Sequence, residues 1–458
     1  MRREHIWIHH EKDANINWKL AEGGYANLAS VRQCEEIGFY ISNSRSYYEI
    51  FIFREGAQRE LVKTITGLRG QLQEVPEFGY RDGFGWKAVT SFKVPEDWKS
   101  GVYIASFPTG QGVREILFIV RPKAPQSPLL LTIAANTYQA YNNVGGKCFY
   151  NYISTDQMRS ETLSFDRPFQ WDCLGNFYIW DQFFINWLEA EGYAVDYCVN
   201  GDHDTEPVLL SHYQANVRIG HDEYNSRAEC EQLQEFVARG GNFLLFAGNS
   251  FFCEVEMRNH GRQMFCAKPH YHDLPTPEKP ETSFLNAIEN LRQRTVGLSY
   301  TSFVNAKTTV PGVFLAPTTD EFGFFRLVEP EHWAFAGTGL KAGDEFGRAD
   351  SIVGVEGDAA DLEFVNGKPR YTGRDGVSTH YKILALADAA ADDRLAKHGI
   401  KLRESKGEAN AYATIAINDT EFKGTIFNAA TIEWGHGLYR EGGGVAQITR
   451  NVLNRLAR

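Results

Sequence analysis

Hydrophobic positions along this chain change their period near residue 124. Before that point, short segments alternate apolar and polar side chains, as in Tyr47-Tyr-Glu-Ile-Phe-Ile-Phe53 and Gly101-Val-Tyr-Ile-Ala-Ser106. A period of two turns one face of a pleated strand to a core and the other to water. Turn-rich clusters, Arg81-Asp-Gly-Phe-Gly85 and Pro95-Glu-Asp-Trp-Lys-Ser-Gly101, separate these segments at the spacing of an antiparallel β-sandwich. Pro122-Lys-Ala-Pro-Gln-Ser-Pro128 follows as a stiff, proline-rich connector. Residues 1–123 are therefore taken as one domain and 124–458 as a second.

In the second domain, strands and helices alternate. Leu129-Leu-Leu-Thr-Ile-Ala-Ala135 and Asn242-Phe-Leu-Leu-Phe-Ala247 are continuous apolar runs, the pattern of strands buried on both faces. Trp180 to Gly192 carries apolar residues at helical spacing with a terminal glycine and leads into a strand from Tyr193 to Val199. Ala215-Asn-Val-Arg-Ile219 reads as a short strand. Ser226-Arg-Ala-Glu229 is a capping box opening a helix that Gly240-Gly241 ends. This succession predicts an α/β domain with a mostly parallel sheet. Residues from about 255 to 420 are glycine-rich and weakly periodic, and are expected to form insertions and peripheral strands. A strand over 424–430 and a helix over 446–456 close a multidomain β plus α/β fold.

Composition narrows the function. At 458 residues the chain is long for a single core. A net charge of −11 without a basic stripe argues against nucleic acid or an anionic membrane surface as partner. No apolar run reaches the length of a membrane span, and the start, Met1-Arg-Arg-Glu-His-Ile, lacks the apolar segment of a secretory signal; a cytoplasmic protein is expected. The seven cysteines form no Cys-x-x-Cys pair and are read as reduced core thiols. Asn418-Asp-Thr420 is a glycosylation sequon by spelling only.

Candidate chemistry sits where strands end. Thr137-Tyr-Gln-Ala-Tyr141-Asn-Asn-Val-Gly-Gly-Lys-Cys-Phe-Tyr150-Asn follows an apolar strand, and Gly220-His-Asp-Glu223-Tyr-Asn-Ser226 occupies a strand-to-helix turn. In a doubly wound sheet, such turns line the usual ligand crevice. Two phenols and one carboxylate would suit a hard metal ion; the alternative is core tyrosines and a glutamate complementing a helix dipole. No Gly-x-Ser-x-Gly or Gly-x-Cys-x-Gly elbow is present, which excludes the common acyl-enzyme routes. Gly337-Thr-Gly-Leu-Lys-Ala-Gly343 has the wrong spacing for a nucleotide loop. His270-Tyr-His272-Asp is a weak metal-binding candidate, read as an exposed loop.

Together with Ser164-Phe-Asp-Arg-Pro168, Gly337-Thr-Gly339, Gly424-Thr-Ile-Phe-Asn-Ala-Ala-Thr-Ile-Glu-Trp434 and Ile448-Thr-Arg-Asn-Val-Leu453, these segments resemble the large (beta) subunit of N,N-dimethylformamidase over essentially the whole chain. The resemblance implies an immunoglobulin-like β-sandwich joined to a glutamine-amidotransferase-like α/β domain that has lost its cysteine nucleophile. It also implies a mononuclear Fe(3+) ion held by two tyrosines and one glutamate. Carried over by motif, the ligands are Tyr141, Tyr150 and Glu223, with Tyr138 competing for the place of Tyr141 and Tyr152 for that of Tyr150. His221 would sit beside the ion or move a proton to the leaving amine, and Glu433 would assist proton transfer or substrate positioning.

The implied reaction is hydrolysis of a small amide by activated water, since a hard cation lowers the pKa of bound water and polarises a carbonyl. The chain is much shorter than the formamidase large subunit and is expected to lack much of its N-terminal portion, and with it docking surface for a small partner subunit; a homo-oligomer is left open. Two other readings use the same residues: an iron-dependent oxidoreductase acting on an aromatic diol, or a non-catalytic small-ligand-binding protein with a tyrosine platform.

Overall fold

The computed structural model describes residues 21–169, 171–266, 295, 300–302, 323–353, 357–360, 362–374, 376–389 and 411–457. The pair His270 and His272 lies outside them. The chain gathers into two compact units, one made of His10–Leu209 and Val255–Cys266, the other of Leu210–Glu254 and Ala267–Arg458.

The first unit begins with the sandwich that the alternating segments predict. Strands β1 (Gly23–Ala26), β3 (Glu36–Ser42) and β6 (Ala88–Lys93) form a three-stranded antiparallel sheet. A five-stranded sheet has the order β2 (Ser30–Arg32), β8 (Gly112–Arg121), β7 (Gly101–Thr109), β4 (Tyr47–Glu55), β5 (Glu60–Arg69). Every second residue points inward: Ile37, Phe39 and Ile41 from β3, Ile50 and Ile52 from β4, Tyr103, Ala105 and Phe107 from β7, and Ile116, Phe118 and Val120 from β8 form one buried cluster. Each large member contributes about 1.5–3 kcal/mol by leaving water.

The same unit continues with β9 (Leu129–Ile133), helix α1 (Ala135–Tyr141), helix α2 (Gln182–Ala190) and β10 (Asp196–Val199), which pairs parallel to β9. Ion pairs lock the sandwich to this layer. Arg54 holds Glu189 of α2 through two bonds of 2.8 Å, and Arg121 reaches Asp202 at 3.2 Å and Glu206 at 2.5 Å. The helix expected from Trp180 begins with a π-helical turn over Phe177–Asp181.

The second unit is built on β11 (Ala215–His221), β12 (Asn242–Gly248) and β13 (Ile426–Asn428), all parallel. Helix α3 (Arg227–Arg239) crosses from β11 to β12. Its ends are those the sequence predicts: Ser226 Oγ accepts from the Glu229 amide, and Gly240 takes a left-handed φ of 117° to close it. Beyond β13 the sheet turns antiparallel, through strands 411–418, 382–389, 325–327 and 345–346. The sheet is thus mixed instead of mostly parallel. Strands read as peripheral insertions add to its edge, a common way for a parallel sheet to be extended without further crossover helices. Helix α4 (Val445–Leu456) ends the described chain with a buried apolar stripe.

Candidate metal and proton-transfer site

Three of the chemically marked segments follow parallel strands, and the tertiary structure sorts their side chains into two clusters. The first lies in the first unit. Helix α1 starts directly after β9, and all its residues except Tyr141 are buried. Tyr138, 1% exposed, points away from Tyr141 and donates its hydroxyl to the buried carboxylate of Asp181 in the π-helical turn. Tyr141 instead meets Tyr150. The intervening chain doubles back through Gly145 (φ 89°) and Gly146 (φ 107°), with Phe149 N donating to Ala140 O at 3.0 Å. A side chain at Gly145 would place its Cβ 2.8 Å from the Tyr80 amide nitrogen, so only glycine makes this reversal.

As a result, the Tyr141 and Tyr150 rings stack with centroids 4.3 Å apart, and the Tyr150 hydroxyl donates to that of Tyr141 at 2.7 Å. Tyr152 is 54% exposed, its ring centroid 5.6 Å from that of Tyr150. The sequence left Tyr138 and Tyr152 competing with this pair. In the fold Tyr138 is committed to Asp181 and Tyr152 faces solvent.

The second cluster lies in the second unit. His221 ends β11 level with Gly248, the last residue of β12. The chain after β12 turns sharply, with Asn249 and Phe251 at φ 49° and 56°, a strained conformation of the kind that concentrates at functional turns. This turn carries Asn249 Nδ2 to 3.1 Å from His221 Nε2, while Glu223 Oε2 lies 3.5 Å from the same nitrogen. All three side chains are buried. The Glu223 carbonyl accepts from the amides of Phe252 (3.0 Å) and Cys253 (2.9 Å), tying the two turns together. Asn249 was not singled out from the sequence; its only signal there is its position just past a buried apolar strand.

Beneath this turn, Arg218 is fully buried. It binds Asp222 at 3.0 Å, Glu229 at 2.6 Å and Asn216 at 2.9 Å. Asn225 bridges the same two carboxylates. The third strand end supplies Glu433. The backbone of Thr431–Ile432 presses on Gly248, where a Cβ would come within 2.7 Å of Ile432 N, so the segment after β13 runs along the level of His221. There Glu433 pairs with His436, Oε2 to Nδ1 at 2.6 Å, both nearly buried. His436 is a further residue the sequence reading missed.

Among the described residues no three His, Cys, Asp or Glu side chains converge as a metal site. The ion that the family resemblance implies would draw on phenol oxygens. The tyrosine pair fits that demand: two oxygens each about 2.0–2.1 Å from a small hard ion and at right angles to each other lie roughly 2.8–3.0 Å apart, close to the 2.7 Å seen between the hydroxyls.

Other sequence expectations are also located. Asn418 of the sequon is fully buried and bound to Glu421 at 2.6 Å, which leaves no room for a glycan. Of the described cysteines, 148, 198, 230, 253 and 266 are buried and Cys34 is partly exposed, and these six form no disulfide. Among the described residues no helix is long and apolar enough to cross a membrane.

No curated protein matches the chain. The family described as N,N-dimethylformamidase beta subunit-like, C-terminal, matches residues 49–447, from β4 through the beginning of α4. With the tyrosine segment, the His-Asp-Glu turn and the Glu433 segment all inside the matched span, this chain belongs to the N,N-dimethylformamidase beta subunit-like family.

Proposed function

We propose that this protein is a cytoplasmic, metal-dependent amidohydrolase that cleaves a small N-substituted amide, with a mononuclear ferric ion held by Tyr141, Tyr150 and Glu223. The observation that carries the reading is the paired, largely buried phenol hydroxyls of Tyr141 and Tyr150, in a family named for an amidase. On this reading the sandwich is the immunoglobulin-like module of residues 1–123, and the α/β layers of 124–458 are the amidotransferase-like part. Bound ferric ion would supply Lewis acidity, polarising the amide carbonyl and acidifying water.

The chain's own residues supply the rest. Asn249 and Glu223 fix the His221 ring from one edge, so the imidazole is aimed and does not rotate freely. His221 carries the proton to the departing amine, the transfer that amide cleavage needs most. The Glu433–His436 pair is a second proton-handling unit beside the same strand ends. The buried turn restricts water around these groups, which strengthens each charged interaction.

The test is the visible spectrum and iron content of wild type and Tyr150→Phe, each purified without a metal-binding tag and exposed to ferric ion. The proposal expects a phenolate-to-iron absorption band near one iron per chain, lost or shifted in the variant, and amine release from formamides. Wild type that stays colourless and iron-free would refute it.

A further inference from the structure

Ser164-Phe-Asp-Arg-Pro168 has no part in the chemistry above, yet it contains one of the largest fully buried side chains of the protein, Arg167. Its guanidinium serves four backbone carbonyls. Nε donates to Ser164 O at 2.9 Å, Nη1 to Val144 O at 2.9 Å and Lys147 O at 3.1 Å, and Nη2 to Gln139 O at 3.1 Å. Three of the four lie between the last turn of α1 and Tyr150, on both sides of the Gly145–Gly146 reversal.

The neighbouring residue of the motif acts on the same loop. Pro168 O accepts from Asn142 Nδ2 at 3.0 Å, and Asn142 Oδ1 accepts from the Val144 amide at 3.2 Å. The motif is itself anchored: Asp166 pairs with Arg262 at 2.6 Å, and Ser164 Oγ accepts from the Asp166 amide at 3.0 Å. Burying a guanidinium is costly unless its donors are met, so a fold keeps one where a fixed, planar fork of donors does something a smaller group cannot. Here that fork sets the distance between the segment that ends in Tyr141 and the segment that leads to Tyr150.

We propose that Arg167, assisted by Asn142, is a positioning residue that presets the Tyr141 and Tyr150 hydroxyls at cation-binding separation before any ion arrives. The part of this inference that concerns an ion rests on the functional reading above; the part that concerns the tyrosine pair does not. A lysine at 167 keeps the charge but has three donors on one atom and cannot span the same carbonyls.

The experiment compares wild type with Arg167→Lys. In metal-free protein, ring-labelled tyrosine NMR, assigned with Tyr141→Phe and Tyr150→Phe, reads the hydroxyl pair, and circular dichroism reads the fold. The expected result is a native dichroism spectrum with both tyrosine signals moved toward solvent-like positions in Arg167→Lys. Unchanged signals would overturn the proposal. Ferric ion titration, followed through the visible band, should then show affinity weakened roughly 10–100-fold; equal affinity with an identical band would also overturn it.

If Arg167→Lys does not fold, Asn142→Ala takes its place, with the same tyrosine signals expected to move and the same refutation if they stay. Should wild type bind no ferric ion while Arg167→Lys still disrupts the pair, the metalloenzyme reading falls and the positioning role stands.

Discussion

Replacing Arg218 by methionine isolates the buried charge network under the His221–Glu223 turn. Methionine matches the aliphatic stem and can keep contact with Phe243 and Phe251, whose rings lie 5.9 and 5.3 Å from the guanidinium carbon. It removes the bonds to Asn216, Asp222 and Glu229, and leaves two carboxylates, 1% and 0% exposed as side chains, facing each other without the cation between them. Breaking a buried pair by removing one partner costs about 3–5 kcal/mol, because the remaining charge stays desolvated. For a unit of this size that is a fall in melting temperature of roughly 6–20 °C.

Adding Glu229→Gln to Arg218→Met removes one of the stranded charges. The double variant should then be less destabilised than the sum of the two single ones, by about 1–3 kcal/mol. Thermal and urea unfolding of the four proteins, followed by near-ultraviolet dichroism, makes the measurement. A cost for Arg218→Met below about 1 kcal/mol, or strict additivity with Glu229→Gln, would refute the reasoning that Arg218 holds this turn by compensating buried carboxylates.

Replacing His221 by asparagine should lower kcat for amine release by about 10²–10⁴-fold with ferric ion content unchanged, the usual worth of a positioned proton donor; unchanged kcat would remove His221 from the mechanism. His332 supplies a pH prediction. Burial first, and then the Lys382 charge, push its pKa down to about 4, and its neutral Nδ1 caps a short helical turn by accepting from the Ala334 amide at 3.3 Å. The unfolded chain therefore takes up this proton before the folded one, so stability falls as pH drops from about 6.5 toward 4. The loss amounts to about 1–2 kcal/mol once solvent screening of the half-buried ring is allowed for. His332→Asn keeps an acceptor at the cap and should flatten this slope in acid melts; an identical slope would refute the assignment.

Local physics made much of this protein legible from its sequence. Period-two alternation marked the segments of β4 and β7 as strands, because successive side chains of a strand face opposite sides of its sheet. Ser226 and Gly240 marked the ends of α3 to the residue, because orphan amides and a left-handed turn need those side chains whatever the rest of the fold does. Motif likeness singled out the segments of Tyr141, Tyr150 and Glu223 and pointed to the family. The mixed character of the sheet was hidden, since strands 382–389 and 411–418 take their direction from pairing with distant partners and carry no local sign of it.

Only the tertiary structure decided which tyrosines meet. Tyr138 and Tyr141 are three residues apart, close to one helical turn, yet one hydroxyl is bound by Asp181 and the other by Tyr150. That outcome depends on the phase of α1, the Gly145–Gly146 reversal and the fork of Arg167, which sequence spacing does not encode. Asn249 and His436 escaped notice for the same reason, because each gains its meaning from a partner 28 or 3 residues away that a strained turn or a short helical turn brings within hydrogen-bonding reach. Secondary structure is written in nearest neighbours, whereas a site is written in the few side chains that packing brings together from strand ends far apart in the chain.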